Sequence, residues 1–350
     1  MQFASFRKPV SLLLPLVLFA GLSACGGAEE KASGEPMNGL PGAEQSSIKI
    51  AISTADPHLF ALQLAVDKGI FEKYGIDAKT VLMEGVQPVQ AVISGQVEVA
   101  TSNAAQVVTS LTTTEPLVDL GIFVDGLPDI LFGSKGIKNA DDLRGKKVAI
   151  SNLGGQSHAE VVLGLKELGL TPDDVLITEV GAEGVRVGAM QSGSVAAAPV
   201  DPSLEAKLAK EGITPLVDLR ESELSLPGGD IMFRRSFVDK NPNLALVVVA
   251  AALEAVQLMF TDTDEVSRLF AKWAGITEEE SIGIWDAYLA SNISVRNLRA
   301  TTEGYENIRD VLVSTNPAVA DVDVSKAYDS TYLDKLEDLG FFEKFGVPES

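Results

Sequence analysis

Hydrophobic and polar positions along the 350-residue chain follow two periods. Short β-branched runs such as Ile48 to Ser53 give way to stretches with an apolar residue every third or fourth position, such as Leu59, Leu62 and Val66. The first spacing is that of a strand and the second that of an amphipathic helix. The chain then repeats itself. Ile50-Ala51-Ile52-Ser53 recurs as Val148-Ala149-Ile150-Ser151, and Ala91 to Val97 recurs as Ala189 to Val195, both 98 residues further on. Each copy reads strand, polar turn, helix ending in Gly, strand, helix ending in Ser-Gly, strand. That pattern predicts two βαβαβ units in tandem, hence parallel sheets with right-handed crossovers. Two such α/β lobes leave a cleft between them.

Taken in order, lobe one has strands over Ile48–Ser53, Thr80–Met83, Val97–Ala100 and Leu117–Val124. Asp56-Pro57 pairs an N-cap with proline at the first helical position. A short strand through Ile130–Phe132 leads to lobe two, whose strands fall at Val148–Ser151, Val175–Val180 and Val195–Val200. Ser157 and Glu160 have capping-box spacing. Leu216–Leu219 and Ile231–Arg234 read as strands returning the chain to lobe one. Beyond Asn241-Pro242 the pattern is helical. Leu244–Leu253 is apolar, but Glu254 and Gln257 end it too soon for a membrane span, so a buried helix is expected. Thr277 and Glu280 form a second capping box before Trp285 and Tyr288, and Tyr332 to Gly346 is a last amphipathic helix and turn.

The first 25 residues read differently. Arg7 and Lys8 precede an apolar run, Val10 to Ala20, too short to span a bilayer as a mature helix. Leu22-Ser23-Ala24-Cys25 resembles the bacterial lipobox, with Cys25 as the lipidation site; the bland alternative is an ordinary secretory signal with an incidental Cys. Residues 26–46, rich in Gly, Glu, Ser and Pro, read as a flexible tether with a reach of roughly 25 Å. Cys25 is the chain's only Cys, which excludes an internal disulfide and a thiolate cluster. The formal charge of −21 argues against nucleic acid and against electrostatic binding to anionic membranes.

Candidate chemistry gathers where strands end and helices begin, near Asp56, Ser102, Ser157 and Asp201. Ligands of open α/β sheets bind outside strand carboxyl ends, and helix N-termini present free N–H groups there. Each of these residues also reads simply as a cap. His58 and His158 occupy matching places in the two copies; ligand contact or capping fits them better than a shared metal, which needs three or four ligands. Gly155 to Ala159 looks like a nucleophile elbow, but no His follows His158, so the hydrolase order fails. Arg186 reads as a solvated helix face, with an anion clamp in the cleft as the sharper alternative. No catalytic residue, metal or cofactor is expected.

Four stretches carry a family resemblance: Asp67-Lys68-Gly69-Ile70-Phe71-Glu72-Lys73-Tyr74-Gly75-Ile76, Ser94 to Ala100, Ile137 to Val148, and Ser192 to Ala197. They resemble the nitrate/taurine/sulfonate-type solute-binding proteins of bacterial ABC importers, from Ile48 to about Leu339. Glu98 and Ala196 depart from the family's Asp at structural turns. The resemblance implies the type II periplasmic-binding architecture: two Rossmann-like lobes with a hinged cleft and a helical C-terminal part packed on lobe one. Lobe one is then 47–127 with 221–350, and lobe two 128–220. The resemblance further implies ligand contacts at Ser53, Thr54, Asp56, Glu84, Ser102, Asn103, Phe123, Gly154, Gly155, Gln156, Ser157 and Asp201, with His58 beside them. Phe123 is expected as an apolar or stacking wall. The implied partners are a small-molecule ligand, an ABC permease with its ATPase, and the membrane through the lipid anchor only; the chain would act as a monomer outside the cytoplasm. The ligand implied is a sulfonate-, nitrate- or taurine-like anion or a small organic nutrient; Asp56 and Glu84 near the cleft weaken the case for a simple anion and would also suit an amine or a heterocycle. A ligand-sensing lipoprotein is the rival reading. A pyrimidine-precursor synthase is the enzyme alternative, but its Cys-rich iron site has no counterpart here.

Overall fold

The computed structural model describes residues 38–83, 87–222 and 225–348, apart from the side chain of Ser203. Its strands are β1 (Ser47–Ile52), β2 (Asp77–Leu82), β3 (Val99–Ala100), β4 (Leu117–Asp119), β5 (Val124–Asp125), β6 (Ile130–Gly133), β7 (Lys147–Ile150), β8 (Leu176–Glu179), β9 (Ala197–Val200), β10 (Thr214–Asp218), β11 (Pro227–Gly228) and β12 (Met232–Arg234). They form two five-stranded sheets, β2-β1-β3-β12-β4 and β10-β6-β9-β7-β8, and a small ladder of β5 with β11.

The repeat in the sequence is a repeat in the sheets. β1 pairs in parallel with β2 and β3, and β7 pairs in parallel with β8 and β9. Both turns after the second helix need a left-handed residue, and Gly95 and Gly193 supply it at φ of +74° and +73°. What the repeat does not contain is the outer half of each sheet. β12 inserts antiparallel between β3 and β4, and β6 lies antiparallel between β9 and β10. The segment expected to return at Leu216–Leu219 therefore stays in the second sheet, as β10. The expected strand Leu117–Val124 is also divided. Its first part is β4; its end, β5, leaves the sheet and pairs with the returning β11, so the two crossover segments between sheets hold each other.

The helical C-terminal part packs on the first lobe. Pro242–Thr261 is long and apolar enough to cross a membrane, with mean hydropathy 2.1, but 78% of it is buried. Val247, Ala251 and their neighbours join Ile50, Phe60 and Leu64 in one core. The polar end of this helix is accounted for: Glu254 takes Lys73 Nζ at 2.5 Å and Tyr74 Oη at 2.8 Å. Its N-terminus is capped from far upstream, since the Glu44 carboxylate accepts from Asn243 N at 3.1 Å and Leu244 N at 2.9 Å. Leu40 is fully buried in the same core. The described part of the expected tether, residues 38–46, is thus bound to the first lobe by an apolar anchor and a helix cap. Helix Thr302–Val313 packs against both Ala104–Ser110 of the first lobe and Gln156–Glu167 of the second.

Candidate functional site

A cleft of about 1830 Å³ opens between the two sheets, and loops from both line it. Four loops leave strand carboxyl ends: Ser53 to His58 after β1, Ser102 and Asn103 after β3, Ser151 to Gln156 after β7, and Asp201 with Pro202 after β9. Parallel sheets aim these ends at one place, so the geometry follows from the strand order. The crossover residues Gly126 to Asp129 and Leu226 to Gly229 form the floor.

On the first lobe the Asp56 carboxylate caps the turn that follows it, accepting from His58 N at 2.8 Å. The His58 ring places Nδ1 2.9 Å from the same oxygen. Burial would raise the Asp56 carboxyl, but these hydrogen bonds more than offset it and hold it below the usual carboxylate range. In the tautomer that donates from Nδ1 to Asp56, His58 is left with a buried, unpartnered Nε2 as an acceptor; a doubly protonated ring would donate from it. Tyr288 packs edge-on against this ring at 5.0 Å.

On the second lobe, helix Gln156–Glu167 starts with Gly155 at its cap and no side-chain cap bond. The expected capping box does not form. The Ser157 hydroxyl, 5% exposed, accepts from Ser151 N at 2.7 Å, behind the cleft wall. Glu160 turns inward instead: it is fully buried, and its Oε1 accepts the Gln156 amide at 2.9 Å. The other oxygen has no fixed donor. Its neighbour is the Asp129 carboxyl, within hydrogen-bonding reach, which donates only while it holds a proton. Burial, and then the charges of Glu160, Glu183 and Asp201, push Asp129 well above the usual carboxylate range. Glu183 accepts from Asp201 N at 2.9 Å.

Ten of the expected site residues therefore line one cleft: Ser53, Thr54, Asp56, His58, Ser102, Asn103, Gly154, Gly155, Gln156 and Asp201. Phe123 and Ser157 do not. Phe123 is 3% exposed in the first-lobe core, because the chain turns at β5 and carries Val124 into the cleft in its place. Glu84 lies outside the described residues, as does Cys25. His158 is buried, and its Nδ1 accepts from Gly154 N at 3.3 Å; burial, against the pull of Glu179, holds it below its usual pKa. Arg186 fits neither sequence reading. It is buried, and its guanidinium donates to the carbonyls of Pro199 and Gly181 at 3.1 Å each.

The sequence reading missed Asp129, Glu183 and the pair Asp218–Arg220, all of which line the cleft. Asp129 follows Pro128 in a crossover with no helix or repeat to mark it. Arg220 is the one Lys or Arg lining the cleft among the described residues, and it is engaged: Nε and Nη2 reach the two oxygens of Asp218 at 2.8 and 2.6 Å. Among those residues there is also no group of three or more His, Cys, Asp or Glu that could hold a metal ion.

Two α/β lobes, each with an antiparallel strand inserted beside a parallel set, and a cleft at the strand ends define the type II periplasmic-binding architecture. A model of the NMT1/THI5-like family matches residues 56–266, more than half of the chain, and the chain belongs to that family. The same fold is seen in the periplasmic aliphatic sulphonate binding protein of Escherichia coli, at TM-score 0.64 and 20% identity over 81% of this chain and 92% of that one. The periplasmic nitrate-binding protein of Synechocystis PCC 6803 is similar at TM-score 0.66 and 17% identity, over 88% and 92%. Proteins of Brucella abortus, Brucella suis and Brucella melitensis, named only as binding proteins, are 27% identical over 203 residues, 58% of this chain. The chain spans 60% of the length of those curated relatives.

Proposed function

We propose that the chain is the extracytoplasmic solute-binding subunit of an ABC importer. It captures a small molecule between lobe one (47–127 with 221–350) and lobe two (128–220) and presents it to a membrane permease driven by an ATPase. A signal peptide over 1–25 and lipidation at Cys25 would hold it at the membrane. The observation that carries this reading is the convergence of four strand-end loops, two from each sheet, on one cleft. Ser53, Ser102, Asn103 and Gln156 are the contacts proposed from the two sides. Membership of the NMT1/THI5-like family and likeness to periplasmic nitrate- and sulphonate-binding proteins support it. The elbow-like stretch Gly155 to Ala159 does not oppose it: Ser157 is spent on Ser151 N and His158 on Gly154 N, and neither side chain lines the cleft.

The test is to purify the full chain from its own host and analyse what it releases on denaturation. A small molecule in near one-to-one ratio, chemically unchanged after long incubation, is expected. Ser102→Trp should lose it by filling the cleft. A chain that retains its ligand with Trp at position 102, or that turns the ligand over, overturns the reading. Cys25→Ala should abolish incorporation of labelled lipid; a chain that still carries the label contradicts the anchor.

A further inference from the structure

The cleft is acidic on both sides. Seven carboxyl side chains line it among the described residues, against one guanidinium that is already paired with Asp218. The helix N-termini offer about half a positive charge each, at most about two in all from four loops, so they do not reverse the sign. The buried arginine of this region, Arg186, is spent on the Pro199 and Gly181 carbonyls. An anion would enter a field of its own sign with no free cation to meet it.

The orphaned polar atoms point the same way. On the first lobe His58 Nε2 is buried and unpartnered, an acceptor in the tautomer that donates from Nδ1 to Asp56. On the second, Glu160 is fully buried with one oxygen that no fixed donor reaches. Asp129 stands between Glu160 and the open cleft, with Glu183 and Asp201 beside it. Acceptors on both walls call for a ligand that donates.

We propose that the cleft takes an organic cation bearing a protonated amine, seated against Asp129 and Glu183 with the buried Glu160 behind Asp129, and that it enters in exchange for the proton that Asp129 and Glu160 share. The inference rests on the solute-binding reading and names its ligand class. The proton balance is simple. In the free protein the Asp129 carboxyl donates to the Glu160 carboxylate, and the pair carries one negative charge. Burial and the neighbouring carboxylates raise Asp129 well above the usual carboxylate range, so the pair holds this proton more tightly than free carboxyls would. An ammonium group donating to the Asp129 carboxylate replaces it, and the proton leaves to solvent. Arg186 and Glu183 face the pair from helix Glu183–Gln191, Gln156 from Glu160's own helix, and Asp201 from the loop after β9. Among these only Arg186 is positive, and it steadies Glu160 as the ionised partner. The bound amine keeps its own proton, since amines titrate near 10.

The experiment is titration calorimetry on the full chain with propylamine, benzylamine and agmatine on one side and nitrate and ethanesulfonate on the other. At pH 7.5 at least one amine should bind saturably and neither anion should. Affinity should rise with pH across the range in which the pair titrates, by up to tenfold per unit. Runs in buffers of different ionisation heat should show net proton release on binding, up to one per site. Glu183→Gln, on the open side of the cleft, should weaken the amine at least tenfold. Glu160→Gln, which keeps shape and volume, should abolish the proton release. Saturable binding of an anion alone refutes the inference and leaves the solute-binding reading standing. No binding of any amine, amine binding without proton release, or amine binding indifferent to both substitutions also refutes it; the host-purified ligand then decides the broader reading.

Discussion

Each lobe buries a pair of carboxyl groups, and the two pairs have different surroundings. In the first lobe Asp119, at the end of β4, and Asp230, just before β12, are both 0% exposed. Tyr305 donates to Asp119 Oδ2 at 2.8 Å, and Tyr328 stacks on Tyr305 at 6.1 Å. No solute can reach them. In the second lobe Glu160 is equally buried, but its partner Asp129 lies half-buried on the cleft wall. Burial raises all four carboxyls in the folded state. The sealed pair can only hold its protons or destabilise the fold by losing them. The open pair has a third course, exchange of a proton for a cation from outside. Contact with the cleft, more than the identity of the residues, separates a structural pair from a candidate site.

The largest effect should come from the sealed pair. Burial raises Asp230 to about 8. A carboxyl raised in the folded state binds more protons there than in the unfolded chain. Its contribution is full below the unfolded value near 4 and is lost as pH rises through the folded value. Stability should therefore fall by about 1.4 kcal/mol per pH unit between about pH 4 and 8 for this one group. Asp230→Asn supplies a permanent donor to Asp119 and should remove one proton's worth of that slope. Urea unfolding of both proteins at pH 5, 6, 7 and 8 measures it. Parallel stability–pH curves would show that Asp230 is not the group that titrates.

A smaller effect is expected where the open pair meets its cation. Arg186→Met leaves the carbonyls of Pro199 and Gly181 without their donor and Glu160 without its positive neighbour. The loss should be about 2–3 kcal/mol. The proton of the Asp129–Glu160 pair should also be held more tightly, so amine binding should need a higher pH than in the wild type. Arg186→Lys, which keeps the charge but not the planar fork, should recover the pH profile better than the stability. Chemical denaturation and calorimetry separate the two readouts. An unchanged pH profile in Arg186→Met would detach Arg186 from the pair.

Much of the fold was legible because it is local. The parallel halves β2-β1-β3 and β8-β7-β9 follow from a repeated pattern of strand, helix and Ser-Gly turn, and the cleft follows from where parallel strands end. The outer halves were not legible: nothing in Met232–Arg234 says that it pairs antiparallel with both β3 and β4. The site divided along the same line. Asp56, Ser102, Asn103 and Asp201 sit just before helical turns and could be read from caps, whereas Ser53 and Gln156 came only from the family resemblance. Asp129 carries no such mark. Glu160 was read as a capping partner because it stands three residues after Ser157, yet the Ser157 hydroxyl has a nearer use at Ser151 N. Arg186 was read as solvent-facing because charged residues are mostly exposed. Burial of a charge is set by partners distant in sequence, here Pro199 and Glu160. Phe123 failed for a related reason: the bend at β5 moved the cleft wall one residue along.

The smallest effect compares the one fixed neutral donor in each pair. Tyr305 Oη serves Asp119 in a sealed site, and Gln156 Nε2 serves Glu160 from an exposed position. Tyr305→Phe removes a hydroxyl that water cannot replace, and should cost about 1–1.5 kcal/mol. It should also raise the Asp119 carboxyl further, since the lost hydrogen bond favoured its ionised form. Gln156→Ala removes a donor that water entering the cleft can replace, so its cost should stay within about 0.5 kcal/mol. Its effect should surface in binding instead. With one donor fewer, Glu160 is a poorer holder of negative charge, and the pair should give up its proton to an amine less readily. Unfolding curves for both variants, set beside amine titrations of Gln156→Ala, test the contrast. A stability loss at Gln156 equal to that at Tyr305 would mean that the second pair is as sealed as the first, and that no ligand reaches it.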